Sequence, residues 1–268
     1  MPFPTAATER LRILYHWQPF IPERLEATLR NHTIYCSRPS DFNDPWDCRP
    51  FFNTEFLDDP ENIKKSIEWA VRVCKQDGRM SEEDLLRMAK ELENRDALDR
   101  TVRQITEETL AEVLQRYRVY CLCPDVENTL MWSHYADSHR GVCLEFNVRN
   151  ELICQALEVQ YHAEFPMTAH YVDDPSTNLL PLLAKSDCWA YEHEFRLIAQ
   201  ERGNATPHET LFTDNGQLSI PDGALSAVIV GCQGNFDDVE ALVRDCGSRV
   251  AVRNARRAPN RFALEIPD

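Results

Sequence analysis

The sequence predicts an α+β fold in which a central, mainly antiparallel sheet is interrupted by an inserted helical block. Three observations carry this. Short runs rich in β-branched and aromatic residues, bounded by proline, glycine or Asx residues, recur towards both ends of the chain. Between them, residues 55–117 switch to apolar residues at three- and four-residue spacing. The 268 residues, 43% hydrophobic and 27% charged, suffice for a single core without cross-links. We therefore read 1–268 as one domain, with 55–117 inserted into it.

Leu11–Trp17 alternates and reads as the first strand, stopped by Pro19 and Pro22. Leu25 and Leu29 share a face of a short helix over 23–31. Residues 33–37 form a second strand. Asp41 to Asp47, with Pro45 inside it, is a loop, because Asx residues favour turns and residues before proline avoid the α region. Asp59-Pro60 opens a helix whose stripe is Ile63, Ile67, Val71 and Cys74, and Ser81 to Asp84 resembles a helix-start box. Leu98, Val102, Ile105 and Val113 continue the helical pattern.

From Val119 the pattern returns to strands. Residues 119–123, 142–146, 159–164, 195–198 and 227–230 are read as strands, and 129–139, 178–185 and 237–245 as helices. Asp214-Asn215-Gly216 between 211–213 and 217–220 predicts a hairpin. Two strands finish the chain.

Charge and cysteine content narrow the function. The net charge of −15 excludes a generally basic nucleic-acid binder. No apolar run approaches the roughly 20 residues of a membrane span. Glu9, Arg10 and Arg12 lie where a signal peptide is apolar, so a cytoplasmic location is expected. Ten cysteines there read as buried thiols. Five arginines fall between Arg249 and Arg261 without a carboxylate. They are either a solvated hairpin or a local contact for phosphate or nucleic acid.

Three boxes carry the chemistry. The first is Ser37-Arg38-Pro39 with Phe42-Asn43-Asp44-Pro45-Trp46-Asp47. The second runs from Met131 to Phe146 and holds Trp132, His134, Tyr135, His139 and Arg140. The third runs from Lys185 to Arg196 and holds Glu192-x-Glu194. In this order the boxes resemble the bacterial domain-of-unknown-function family 2971, over nearly the whole chain. That family implies no reaction; its members are associated with accessory or defence-type gene sets.

Glu192 and Glu194 precede a strand, and alternation would put them on one face. Such a pair can hold a ribose hydroxyl, stabilise a cationic centre or deprotonate a nucleophile. The plainer account is an exposed edge, with each Glu paired to an arginine such as Arg196. A second, more distant resemblance is to ADP-ribosyltransferases, which carry an Arg or His on the first core strand, a Ser or Tyr on a middle strand and a Glu-x-Glu on a later one. Here Tyr15-His16, Tyr35-Cys36-Ser37 and Glu192-x-Glu194 take those places, while the family's Ser-Thr-Ser box is missing. This resemblance implies NAD as substrate, His16 on the nicotinamide ribose, Tyr35 or Trp46 stacked on nicotinamide, Glu194 on the ribose hydroxyl and Glu192 on an acceptor. The acceptor would be a protein or nucleic acid, in a toxin or antiphage defence role.

His134, Tyr135 and Arg140 are candidates for binding phosphate or for acid–base work, against an aromatic helix simply packed on the sheet. Either Asn43 and Asp44 satisfy backbone amides in a rigid turn, or Asp44 or Asp47 meets His16 and Arg38 at a pocket mouth. Two alternatives remain. One is a nuclease or phosphoryl-transfer enzyme using Asp44, Asp47, Glu192 and Glu194 as metal ligands. The other is a non-catalytic sensor of a nucleotide or partner protein. Cys121-x-Cys123 lacks two further zinc ligands at sensible spacing, so no metal site is expected. Gly231-x-x-Gly234 is too little for a phosphate loop, and no Gly-x-Ser-x-Gly elbow occurs.

Overall fold

A computed structural model describes residues 3–49, 55–78, 80–166, 175–202 and 211–267. The chain opens with β1 (Ile13–Gln18), α1 (Pro22–Asn31) and β2 (Thr33–Tyr35). The inserted block follows as α2 (Pro60–Asp77), α3 (Glu82–Glu91) and α4 (Arg95–Arg116). Then come β3 (Tyr117–Leu122), α5 (Thr129–Tyr135), β4 (Val142–Asn147), β5 (Leu157–Glu158) and β6 (Gln160–His162). The remainder is α6 (Pro175–Leu183), β7 (Ala184–Ser186), β8 (Phe195–Glu201), β9 (Phe212–Thr213), β10 (Gln217–Ser219), β11 (Leu225–Val230), α7 (Phe236–Asp245), β12 (Ala251–Asn254), β13 (Arg256–Arg257) and β14 (Leu264–Glu265).

The mixed α+β class holds, but there is no single central sheet. Two larger sheets share the work. The first has the order β1-β4-β11-β12, antiparallel except for its last pair. The second has the order β3-β8-β5, with β9 added in parallel beside β8. They meet where Tyr15 and Cys123 exchange backbone hydrogen bonds of 2.8 and 2.9 Å. The middle of β1 therefore lies against the end of β3, and this junction positions the site. Leu14, Leu144, Phe146, Val228, Leu122 and Leu197 fill the shared core. Each such side chain contributes about 1.5–3 kcal/mol by burial.

The helical block behaves as the periodicity predicts. Asp59 caps α2 through the Glu61 amide at 2.9 Å, and Pro60 takes the first helical position. Ser81 caps α3 and Asn94 caps α4. Leu57, Ala70, Leu92, Leu98 and Val102 make a core of the block's own, with Ile63 and Ile67 against it. The last turn of α4 returns to the main body, where Val113 and Tyr117 pack with Cys48 and Leu182.

Four local expectations need correction. The helix expected over 129–139 stops at Tyr135, because Asp137, Ser138 and His139 are all left-handed, at φ 45°, 53° and 67°. The sharp return brings Gly141 against β1, where a Cβ would collide with the Gln18 carbonyl. The Asn215-Gly216 turn exists, with φ 52° and 78°. Its arms diverge, however: β9 joins β8 and β10 joins β2. The helix expected over 178–185 ends at Leu183, and Lys185 sits in β7, which pairs in parallel with β6. The strand expected over 159–164 is realised only as β6, Gln160–His162, and the short β5, Leu157–Glu158, lies just before it.

Candidate functional site

The site grows from a cluster of buried charges. Glu192 ends a 3-10 turn over Asp187–Glu192, and His193 is left-handed at φ 47°. Glu192 and Glu194 thus converge through a kink rather than by strand alternation. Lys185 Nζ donates to Glu192 Oε2 at 2.6 Å and to Glu194 Oε2 at 2.9 Å. Neither carboxylate is an exposed edge: Glu192 is 3% exposed and Glu194 1%.

Arg196, fully buried in β8, organises the floor. Its Nε and Nη2 donate to Glu194 at 2.8 and 2.9 Å. Its Nη1 and Nη2 donate to the two oxygens of Asp47 at 2.8 and 2.7 Å, and Nη1 also reaches the Leu182 carbonyl at 2.8 Å. Every guanidinium N–H is satisfied, which is the condition for burying such a charge. Asp47 is held as an arginine partner; it lines the same cavity as His16, and Arg38 is not among that cavity's lining residues.

The cluster holds three carboxylates (Asp47, Glu192, Glu194) and two cations (Lys185, Arg196). Fully ionised, it carries one surplus negative charge. Its consequence falls on Glu192. Burial raises the Glu192 carboxyl above its ordinary value, with Glu194 adding to the rise against the opposing pull of Lys185. Burial would also raise Glu194, but Arg196 and Lys185 outweigh it and hold that carboxyl well below the usual range. Burial disfavours the Lys185 charge, yet Glu194, Glu192 and Asp47 together keep its ammonium protonated. The two carboxyls are thus pushed apart, Glu192 upward and Glu194 downward.

Above this floor lies a cavity of about 300 Å³. Tyr135 closes one side and donates its hydroxyl to Glu192 Oε1 at 2.8 Å. His16 stands on another wall, stacked on Tyr120 at 4.0 Å. Its Nδ1 lies 2.8 Å from the Cys121 carbonyl, which can only accept, so Nε2 is left as an acceptor. Burial lowers its pKa to about 4, leaving it neutral. Gln18 lies on the same strand face, and its amide nitrogen has no partner. Arg24 lines the cavity with its guanidinium 5.6 Å from the Tyr35 ring. Burial pushes the Cys121 and Cys123 thiols up, and all ten cysteines are free.

His16, Ser37, Asn43, His134, Tyr135, Glu192, Glu194 and Arg196 therefore line one cavity. Other candidates do not. Tyr15 faces the opposite side of β1 and packs with Trp17 and Trp132. Trp132 is fully buried and donates its indole N–H to the Val126 carbonyl at 2.7 Å. Tyr35 lies under Arg24. Arg140 is exposed and paired with Asp137. Asp44 accepts from the Trp46 amide at 2.9 Å, and both line a neighbouring cavity instead. The four carboxylates of the metal reading do not converge, since Arg196 and Lys185 occupy the space between three of them. Among the described residues no group of three or more His, Cys, Asp or Glu side chains is arranged to hold a metal ion. Sequence reasoning missed Lys185, Gln18 and Arg24. Lys185 was within reach, as one of few lysines and the first residue of the third box.

The basic C-terminal stretch is divided. Arg253 pairs with Glu145 inside the first sheet. Arg256, Arg257 and Arg261 are exposed on the β13–β14 hairpin, and Arg261 lies 3.7 Å from Glu265. No helix among the described residues is long and apolar enough to cross a membrane. Comparison with protein-family models, with curated proteins and with solved structures returns no match.

Proposed function

We propose that the protein is an enzyme that cleaves the nicotinamide–ribose bond of NAD, releasing nicotinamide or transferring the remainder to an acceptor. One observation carries this reading: the surplus negative charge beneath the cavity, concentrated on Glu192. As the bond breaks, its electron pair leaves with nicotinamide and positive charge develops on the ribose. A carboxylate held at that point stabilises the transition state more than the ground state. Water or an acceptor hydroxyl then attacks the ribose carbon and gives its proton to Glu192, a carboxylate that burial makes more basic than an ordinary glutamate.

The surroundings support the assignment. Neutral His16 offers an acceptor to a ribose hydroxyl, and Gln18 offers a donor that is otherwise unmet. Arg24 supplies a positive charge for a phosphate. The resemblance to ADP-ribosyltransferases agrees in substrate, but the roles within the Glu pair are reassigned. Glu194 is locked by Arg196 and Lys185, so Glu192, not Glu194, faces the substrate.

The test is nicotinamide release from NAD by the purified protein, with and without protein or nucleic-acid acceptors. Release that disappears in Glu192→Gln supports the reading. If wild-type protein releases none under any of these conditions, the reading fails.

A further inference from the structure

A second cavity of about 520 Å³ opens on the far side of the Asn43–Asp47 loop, sharing Asn43 and Lys185 with the first. Three rings from three separate elements line it: Trp46 from the loop, Phe165 from the segment after β6, and Trp189 from the 3-10 turn before β8. Trp46 is 64% exposed and Phe165 41%. The Trp46 indole stands largely in solvent, and apolar surface gathered around a concavity marks a ligand site. Trp189 is fixed in place, with Lys185 Nζ 5.2 Å from its ring centroid and His134 edge-on at 6.1 Å.

The lining is not purely apolar. His162 lines the cavity, and its ring nitrogen Nε2 is buried with no hydrogen-bond partner. Arg49 adds an exposed guanidinium at the same cavity. Rings for stacking, an unmet polar atom and a cation together suit a flat heteroaromatic ring that carries an anion. A plain hydrocarbon would leave His162 and Arg49 without partners.

We propose that this cavity binds a purine nucleoside monophosphate, with the base stacked on Trp46 and the phosphate on Arg49. The site does not depend on the first cavity being catalytic. Free nucleotide and the adenylate half of NAD present the same chemistry, and the experiment separates them.

AMP is titrated into the full-length protein and tryptophan fluorescence is followed, with adenosine and ribose 5-phosphate in parallel. The expected result is saturable quenching by AMP, weaker saturation by adenosine and none by ribose 5-phosphate. Trp46→Ala, at an exposed position, should weaken AMP roughly tenfold or more, since base stacking is worth that much. Arg49→Ala should erase the advantage of AMP over adenosine. Absence of saturation by AMP, equal binding of ribose 5-phosphate, or AMP affinity within about twofold of wild type in Trp46→Ala overturns the proposal. If Trp46→Ala also raises the KM for NAD, the site takes the adenylate half; if only AMP binding changes, it takes a separate nucleotide. Failure of nicotinamide release with intact AMP binding sinks the catalytic reading alone.

Discussion

Glu192→Gln separates chemistry from stability at this site. The substitution keeps the shape of the side chain. Its one oxygen can still accept from Lys185, which holds Oε2 at 2.6 Å, while the amide NH2 takes the place of Oε1 and donates to the Tyr135 hydroxyl, 2.8 Å from that position. It removes the one surplus negative charge. A unit charge about 4 Å from a developing cation contributes on the order of 4 kcal/mol at an effective dielectric constant near 20, or about a thousandfold in rate. Loss of the base adds to this. Stability should move the other way: burial already disfavours the ionised form of Glu192, so the neutral amide is expected to leave the melting temperature unchanged or raise it. The assay is steady-state nicotinamide release beside thermal unfolding of the same preparation. If Glu192→Gln unfolds the protein as severely as loss of Arg196, or releases nicotinamide within about twofold of wild type, the reasoning fails.

Other substitutions probe the remaining parts. Arg196→Met leaves Asp47 and Glu194 buried without their partner and should cost about 3–5 kcal/mol of stability, read by urea unfolding. His16 is held neutral with its pKa near 4 in the fold, below the unfolded value near 6.5, so its contribution is full above pH 6.5 and is lost as pH falls towards 4. The stability difference between wild type and His16→Asn should therefore shrink over that window by about 2–3 kcal/mol. Tyr135→Phe removes a hydrogen bond that lowers the Glu192 pKa, so the acid limb of the nicotinamide-release profile should move to higher pH. Arg256→Ala with Arg257→Ala, on an exposed hairpin, should change stability by no more than about 0.5 kcal/mol.

The strands and helices were largely legible because hydrophobic period and capping residues are local properties. The stripe of Ile63 and Ile67, the Asn215-Gly216 turn and the β-branched run of β11 were all written in short windows. Partnering between strands was not. Nothing near Phe212 or Gln217 in sequence says that β9 and β10 leave the turn for different sheets. The site shows the same division. Glu192, Glu194, His16 and Tyr135 stood out as residue types able to do chemistry. Their electrostatic roles depend on Arg196, Asp47 and Lys185, which come from two distant stretches of the chain. That Glu194 is held by both Arg196 and Lys185 was not legible from residue type alone, because the contacts are made by side chains whose convergence only the fold supplies. Tyr15 failed for a simpler reason: on a strand its side chain points opposite to that of His16.

The split within the carboxylate pair can be measured directly. Side-chain carboxyl carbons are labelled with carbon-13 and followed by NMR across the acid range, with Glu192→Gln and Glu194→Gln used for assignment. Glu192 should titrate above the ordinary glutamate value near 4.3, and Glu194 should remain ionised until the protein unfolds. Two ordinary titrations, or Glu194 taking up its proton before Glu192, would contradict the placement of the surplus charge on which the proposed chemistry rests.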